Sequence, residues 1–366
     1  MMHRLLLLAA GVLHALSFSA SPLPAWSLSS TQIITLAILA WYVLKANSIR
    51  QAAWSAAWFS ISNFCTGIYW LFISMNTYGA LAAPLAATAV FLLSAYLSLY
   101  PVLAAGITRY LSRNHIVSFV LVWAGSMALS EWLRSFIFTG FPWNSTGYAH
   151  TDSVLSGWAP VLGAYGVGFM AALVSALLVA CLAFLQKAQP KKSIFCLASI
   201  AGVFIISLGL KQIAWHQPHG NPISIRLVQG NISQDRKFHP DTMMESMNEN
   251  FDLALLEPAD PEAPPKVIIF PETIIPGFQN RMSPHFWQSV AQLAEHTQSV
   301  FFMGVPLHTL DHRGERVTNS VIALDGNTSV EALMSGLGLP VYDKQHLVPF
   351  GEFIPYGFRW FVHAIG

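Results

Sequence analysis

Charged side chains lie in an apolar stretch near the end of the sequence, where burial is costly unless the charge is paired or functional. Lys344 and Glu352 belong to residues 341–356, VYDKQHLVPFGEFIPY, and His346 lies between them. An ammonium can stabilise a developing negative charge, and a carboxylate can accept a proton or orient a neighbouring group. The alternative is that Lys344 only reaches solvent from a strand edge and that Pro349-Phe350-Gly351 is an ordinary turn.

The charges of the chain are concentrated in its second half. Only 10% of the 366 residues are charged and 54% are hydrophobic. Of the 18 acidic residues, only Glu131 and Asp152 precede Gln217. This division predicts a membrane domain over residues 1–215 and a soluble domain over residues 216–366.

Composition also excludes several kinds of site. The net charge is +1, and no basic cluster after Gln217 is larger than Arg236-Lys237, which argues against a nucleic-acid partner. Cys65, Cys181 and Cys196 all lie in hydrophobic runs without metal-binding spacing, so neither a metal nor a disulfide framework is expected.

Hydrophobic runs long enough to cross a bilayer predict about seven spans in the first domain. The first could instead be a cleavable signal peptide, since a short basic start precedes it. The predicted spans are residues 5–21, 31–47, 54–75, 80–107, 116–136, 160–186 and 193–212.

Basic residues alternate between the loops and predict the orientation. The loops at 22–30 and 76–79 carry no basic residue, and the loop at 137–159 carries only the charge of Asp152. Because basic loops stay in the cytoplasm, the chain is expected to leave its last span on the periplasmic side of a bacterial inner membrane. The basic loop residues are Lys45, Arg50, Arg109, Arg113, Lys187, Lys191 and Lys192.

Two ionisable residues near the end of the fifth predicted span are expected to pair. Glu131 and Arg134 lie one helical turn apart, and the aromatic segment TGFPW at 139–143 comes after them. That segment is either an interfacial aromatic belt or part of an entrance for lipid.

The second domain shows strand and helix patterns in alternation. Strands are predicted at 223–228, 266–270 and 299–305, and helices at 241–256 and 283–296, the latter opening with the N-cap pair Ser283-Pro284. Residues 319–324 and 329–334 predict a hairpin around Asp325-Gly326. The pattern favours a helix-covered sheet, and Glu272 falls just after a strand, where catalytic groups of such folds tend to lie.

Four strings, in this order, carry a family resemblance. They are TGFPW at 139–143, VQGNI at 228–232, FPETIIP at 270–276 and YDKQHLVPFGEFIP at 342–355. Together they resemble the apolipoprotein N-acyltransferases, the membrane-embedded members of the nitrilase (carbon–nitrogen hydrolase) superfamily. The resemblance implies a partial nitrilase-like α/β/β/α sandwich as the second domain.

The resemblance also implies roles for individual residues. Glu272 matches the general base of a Glu-Lys-Cys triad, Lys344 the lysine that stabilises the oxyanion, and Glu352 a supporting glutamate. Substrate contacts are implied for Phe238, where the family usually has tryptophan, and for Trp143 and Phe350. The family transfers an acyl chain from a phospholipid, through an enzyme thioester, to the α-amino group of the diacylglyceryl-cysteine of an apolipoprotein, without a cofactor.

One element of the triad has no counterpart in these residues. The family's nucleophilic cysteine is expected some tens of residues beyond Lys344, whereas the last cysteine in the sequence is Cys196. The chain of residues 1–366 is therefore expected to lack acyltransferase activity by itself. Alternatives are a membrane-tethered amidase or nitrilase, a non-catalytic protein that binds lipid or lipoprotein, and, disfavoured by the few charges in the spans, a transporter.

Overall fold

The chain divides into two compact units, Met1–Gln217 and Pro218–Gly366. The computed structural model describes residues 2–112, 115–311, 314–348, 352–354 and 356. The first unit is helical, and the second contains a five-stranded sheet.

Helices α1 to α8 make up the described part of the first unit. They are α1 (Met2–Leu16), α2 (Leu28–Lys45), α3 (Ile49–Gly67), α4 (Trp70–Ile73), α5 (Ala83–Ser112), α6 (Ile116–Arg134), α7 (Ala159–Gln186) and α8 (Pro190–Lys211). Short 3₁₀ turns at Ala25–Ser27, Ile137–Thr139, Thr146–His150 and Val154–Trp158, and a π turn at Ser74–Tyr78, extend or connect them.

Helices occur at all seven predicted spans, but they are not equally suited to cross a membrane. Among the described residues, five helical segments are long and apolar enough, and the bent pair Ile49–Gly67 and Trp70–Tyr78, with a 46° break, makes a sixth. Met2–Leu16 is apolar but shorter than a bilayer-spanning helix needs. The prediction of a polytopic helical membrane domain is confirmed, with five or six such spans in place of seven.

Small residues allow the helices of the first unit to pack closely. A Cβ atom at Gly11 in α1 would lie 2.1 Å from the carbonyl oxygen of Phe59 in α3, so only glycine fits there. Trp123 in α6 is fully buried and donates its indole N–H to Ser175 in α7 at 3.2 Å. Close backbone contact and inter-helix hydrogen bonds are the usual sources of helix association in lipid.

The sheet of the second unit has the order β1-β2-β3-β4-β5. β1 (Ile225–Leu227), β2 (Val267–Ile269) and β3 (Val300–Asp311) are parallel, whereas β4 (Gly314–Leu324) and β5 (Val341–Asp343) run antiparallel to their neighbours. The helices of this unit are α9 (Gln234–Lys237), α10 (Met243–Ala254), α11 (Pro284–Thr297) and α12 (Val330–Ser335), with a 3₁₀ turn at Gln279–Arg281.

One face of this sheet is covered by helices, and among the described residues the other face has exposed apolar side chains. Ile268 and Phe301 on the covered face pack against Phe251 of α10 and Trp287 of α11. The side chains at the paired positions Leu227, Ile269 and Phe302 lie on the other face and are exposed. A sheet with helices on one side and an apolar face on the other is one α/β layer of the predicted sandwich.

The predicted hairpin around Asp325-Gly326 is wrong. Residues 330–335 form helix α12, because Ser329 caps it by accepting from the backbone N–H of Ala332 and Gly336 ends it in a left-handed conformation with φ 70°. The strand that pairs with β4 is β3, which precedes it. Ser283 caps α11 as predicted, accepting from the N–H of Phe286 at 3.1 Å.

Candidate active site

The three charged residues singled out in the sequence meet in the second unit. The ammonium of Lys344 lies 3.2 Å from Oε1 of Glu272 and 3.0 Å from Oε1 of Glu352. The side chain of Glu272 is 67% exposed, whereas those of Lys344 and Glu352 are 31% and 22% exposed. One cation thus bridges an open carboxylate and a more sheltered one.

A fourth side chain joins the two carboxylates. The amide nitrogen of Asn319 donates to Oε1 of Glu272 at 3.0 Å and to Oε1 of Glu352 at 2.7 Å. Asn319 lies on β4, and its carbonyl oxygen accepts from the backbone N–H of Lys344 at 2.8 Å. The strand ladder therefore sets the Asn319 side chain beside the lysine.

Tight backbone packing places Glu272 immediately beyond β2. Thr273 has a left-handed backbone with φ 53°, which turns the chain sharply after the glutamate. A Cβ atom at Gly304 in β3 would lie 2.5 Å from the backbone nitrogen of Thr273, so glycine is required for this approach. Strained positions of this kind persist where the surrounding structure fixes them, often at functional sites.

Two hydrogen bonds with Val348 hold Glu352. Its Oε2 atom accepts from the backbone N–H of Val348 at 2.6 Å, and its own N–H donates to the carbonyl of Val348 at 2.9 Å. Its remaining carboxylate oxygen stays free to face Lys344 and Asn319.

The site keeps Lys344 protonated and Glu352 ionised at neutral pH. Burial lowers the pKa of Lys344, but hydrogen bonds with Glu352 and Glu272 outweigh it, so the pKa lies above the usual lysine value. Burial raises the pKa of Glu352, but the hydrogen bonds from Val348, Asn319 and Lys344 lower it by more. The pKa therefore lies below the usual glutamate value.

The arrangement suits acid–base and oxyanion chemistry. In the described part of the chain, Lys344 gives two of its three N–H bonds to carboxylates, which leaves one for a developing oxyanion. Glu272, the more exposed carboxylate, is open to a neighbouring thiol or hydroxyl. Among those same residues, no cluster of three or more His, Cys, Asp or Glu side chains could hold a metal ion.

Lys237 and Phe238 connect the 228–238 region to the site. The ammonium of Lys237 donates to the backbone carbonyl of Glu272 at 2.8 Å and lies 5.7 Å from the centre of the exposed Phe238 ring. Burial lowers the pKa of Lys237, and the charge of Glu272 opposes this effect. The structure therefore places Phe238 one residue from a direct partner of Glu272.

A cavity of about 320 Å³ lies at the carboxyl ends of β1 and β2. The VQGNI string at 228–232, Lys237, α10 and Pro271 line it. Crevices at the carboxyl ends of parallel strands are common ligand sites in α/β folds.

The other two residues predicted to contact substrate are Trp143 and Phe350. Trp143 lies in the first unit, where its half-exposed ring packs against Trp70 with centroids 5.1 Å apart. Phe350 lies outside the described residues.

Comparison with known proteins places the chain in a family. The family model for the apolipoprotein N-acyltransferase N-terminal domain matches residues 10–177. Proteins of Bordetella parapertussis and Bordetella bronchiseptica are each 43% identical over 377 residues, covering 98% of this chain and 69% and 68% of their own lengths. The chain belongs to the apolipoprotein N-acyltransferase family. A Ralstonia nicotianae apolipoprotein N-acyltransferase is 39% identical, and the chain spans 63% of its length.

Family membership confirms the resemblance drawn from the four sequence strings. Two residues that contact the candidate site were not found from the sequence. Asn319 lies in an ordinary strand pattern, and Lys237 ends the short polar helix α9. The only signal in the sequence for Lys237 was its position beside Phe238, because its contact with Glu272 joins segments that are distant in sequence.

Proposed function

We propose that the protein transfers an acyl chain from a phospholipid to the N-terminal amine of a diacylglyceryl-apolipoprotein. The observation that carries the proposal is the junction of Glu272, Lys344 and Glu352 through direct contacts of 3.2 Å and 3.0 Å. Family membership supports N-acyl transfer as the reaction class.

The proposed reaction uses a cysteine thiol in two steps. Glu272 takes the thiol proton, and the thiolate attacks the ester carbonyl carbon of the phospholipid while Lys344 hydrogen-bonds the oxyanion. Collapse breaks the ester C–O bond, and the lysophospholipid leaves with the proton. The lipoprotein amine then attacks the thioester carbonyl, the C–S bond breaks, and Glu272 receives the proton that the amine loses.

A phospholipid with a labelled acyl chain and a diacylglyceryl lipopeptide would test this function. Protein expressed from its native reading frame is expected to carry label as a thioester and then to pass the label to the peptide. Hydrolysis of a soluble amide without transfer to the peptide would instead identify a tethered amidase.

The polypeptide of residues 1–366 should give no label in the same assay. Its cysteines, Cys65, Cys181 and Cys196, lie in α3, α7 and α8 of the first unit, so the second unit supplies no thiol to Glu272. The matched control replaces all three cysteines by serine. Label that survives this replacement would contradict the proposed thioester route.

The alternating basic loops predict the orientation of the membrane unit. Reporter fusions after Lys192 are expected to report the cytoplasm, and fusions after Gly220 the periplasm of the inner membrane. A fusion after Arg50 provides a second cytoplasmic control. The reverse pattern would place the second unit in the cytoplasm and exclude the proposed reaction with exported lipoproteins.

A further inference from the structure

The segment that comes after α6 has an irregular backbone next to apolar helices. We define it as the 139–146 segment, which contains the string TGFPW. Phe138, Thr139 and Asn144 all have left-handed backbones, with φ of 52°, 73° and 56°. A Cβ atom at Gly140 would lie 1.9 Å from the carbonyl oxygen of Ser135. Such a conformation is strained and persists only where neighbouring groups determine it.

Arg134, at the end of α6, is one of these neighbouring groups. Its side chain is buried, at 3% exposure for the residue, and its Nη1 atom donates to the carbonyls of Phe141 at 2.8 Å and Trp143 at 2.5 Å. Its Nη2 atom donates to Oγ of Ser145 at 3.2 Å. Non-helical carbonyls at the membrane need such internal donors, because lipid provides none.

Glu131 holds the far end of the same segment. Its Oε1 atom accepts from the backbone N–H of Thr146 at 3.0 Å and from the hydroxyl of Thr146 at 2.5 Å. On α7, a Cβ atom at Gly168 would lie 3.2 Å from Oε2 of Glu131, so the glycine leaves room for the carboxylate.

The two ionisable residues do not pair with each other, contrary to the sequence prediction. Among the described residues, no ion pair within 4.0 Å includes Glu131 or Arg134, and each is bonded to the 139–146 segment. Removing a charge from water without a direct counter-ion is costly. An aromatic belt at the membrane interface does not require two charged side chains that hydrogen-bond to its backbone.

The fixed segment presents an aromatic surface. Trp143 is 50% exposed and packs against Trp70 at the break between α3 and α4. Directly before the segment, Phe138 is exposed, and its ring centroid lies 6.1 Å from that of Tyr96. The apolar helices of this unit make a lipid alkyl chain the occupant that matches such a surface. Arg134 fixes the backbone carbonyl of Trp143, so Trp143 should lose less conformational freedom when it contacts an alkyl chain.

We propose that Arg134 and Glu131 are positioning residues that fix Trp143 against Trp70 as a rigid wall for an alkyl chain of the phospholipid donor. This inference rests on the proposed function for the identity of the substrate. The holding of Trp143 itself rests on the contacts of Arg134 and Glu131 alone.

The test compares Arg134→Lys and Glu131→Gln with Arg109→Lys as a matched control. Lysine keeps the charge but loses the planar fork that reaches two carbonyls and a hydroxyl. The side-chain oxygen of glutamine can still accept from Thr146, so Glu131→Gln should keep most of the wild-type quenching of Trp143. Arg109 also donates to a backbone carbonyl, that of Ala46 at 2.7 Å, but lies away from the segment.

Quenching by brominated phosphatidylcholine vesicles would report the position of Trp143. Because the chain has 12 tryptophans, the Trp143 signal is the difference between each variant and the same variant with Trp143→Phe. Arg134→Lys is expected to change the quenching of Trp143 about twofold or more, and Arg109→Lys to leave it unchanged. Ser145→Ala removes one of the three Arg134 bonds and the bond from Ser145 to the carbonyl of Pro142. It should give a smaller change in the same direction, and it tests the positioning role if Arg134→Lys does not fold.

Donor kinetics test the second half of the proposal. In protein from the native reading frame, Arg134→Lys is expected to raise the KM for phospholipid about tenfold with kcat within about twofold, since the lost contact is a binding contact. Unchanged quenching in both Arg134→Lys and Ser145→Ala would overturn the positioning role. Changed quenching with an unchanged KM would overturn the alkyl-chain role. If the unaltered protein transfers no acyl chain, the proposed function is overturned, but the quenching result still tests the position of Trp143.

Discussion

Glu272→Ala and Lys344→Ala are each expected to reduce the rate of N-acyl transfer about 10³-fold or more in protein from the native reading frame. The two side chains contact each other at 3.2 Å and are proposed to serve the same thiol, one as its base and the other as the donor to its oxyanion. Residues that act as a unit give strongly non-additive losses. The double substitution should therefore be little worse than either single one.

Initial rates with the labelled phospholipid and lipopeptide would measure these losses. Glu315→Ala and Arg316→Ala are matched controls, because both residues lie on β4 and contact polar partners, Glu315 a ring nitrogen of His308 at 2.6 Å and Arg316 the carboxylate of Asp343 at 3.1 Å. The controls should retain activity within about twofold, as expected for exposed pairs. Losses that multiply in the double variant would show that Glu272 and Lys344 belong to separate steps or sites.

Local sequence signals predicted those parts of the fold that are determined locally. Ser283-Pro284 predicted the start of α11, and apolar runs predicted the helices of the first unit. The hairpin around Asp325-Gly326 failed because a turn dipeptide does not determine whether the next element is a strand or a helix. The Ser329 cap and the Gly336 stop signal, with six residues between them, determine α12 instead.

The contacts between distant segments could not be predicted in the same way. Glu131 and Arg134 have the spacing of an ion pair on one helix, but the unsatisfied backbone of the 139–146 segment competes for both side chains. Asn319 becomes a site residue only through strand register. Its neighbour Ser320 on β4 pairs with Asp343 on β5. This pairing places Asn319 beside Lys344, whose backbone N–H donates to the Asn319 carbonyl.

Asn319 should be needed to set the acid limit of the reaction. Its amide donates to both carboxylates, and the hydrogen bond to Glu352 is one of the contacts that lower the pKa of that residue. Asn319→Leu keeps a similar volume but removes both donors, so the pKa of Glu352 should rise. A carboxylate with a depressed pKa stays ionised at every pH above that value. If the pKa of Glu352 rises, Glu352 is protonated, and its charged contact with Lys344 is lost, at a higher pH than in the unaltered protein.

The measurement is kcat/KM for acyl transfer as a function of pH, with Ser320→Ala as the control. Ser320 is adjacent on β4 and donates to Asp343 at 2.7 Å, outside the set of carboxylates that contact Lys344. A charge-assisted hydrogen bond contributes about 1.5–3 kcal/mol, so Asn319→Leu should move the acid limb upward by about one pH unit. Asn319→Asp should have a larger effect in the same direction, because it brings a third carboxylate to within about 3 Å of the other two. An acid limb that stays at its original pH in both variants, whatever the fall in rate, would show that Asn319 supports the strand and does not tune the carboxylates.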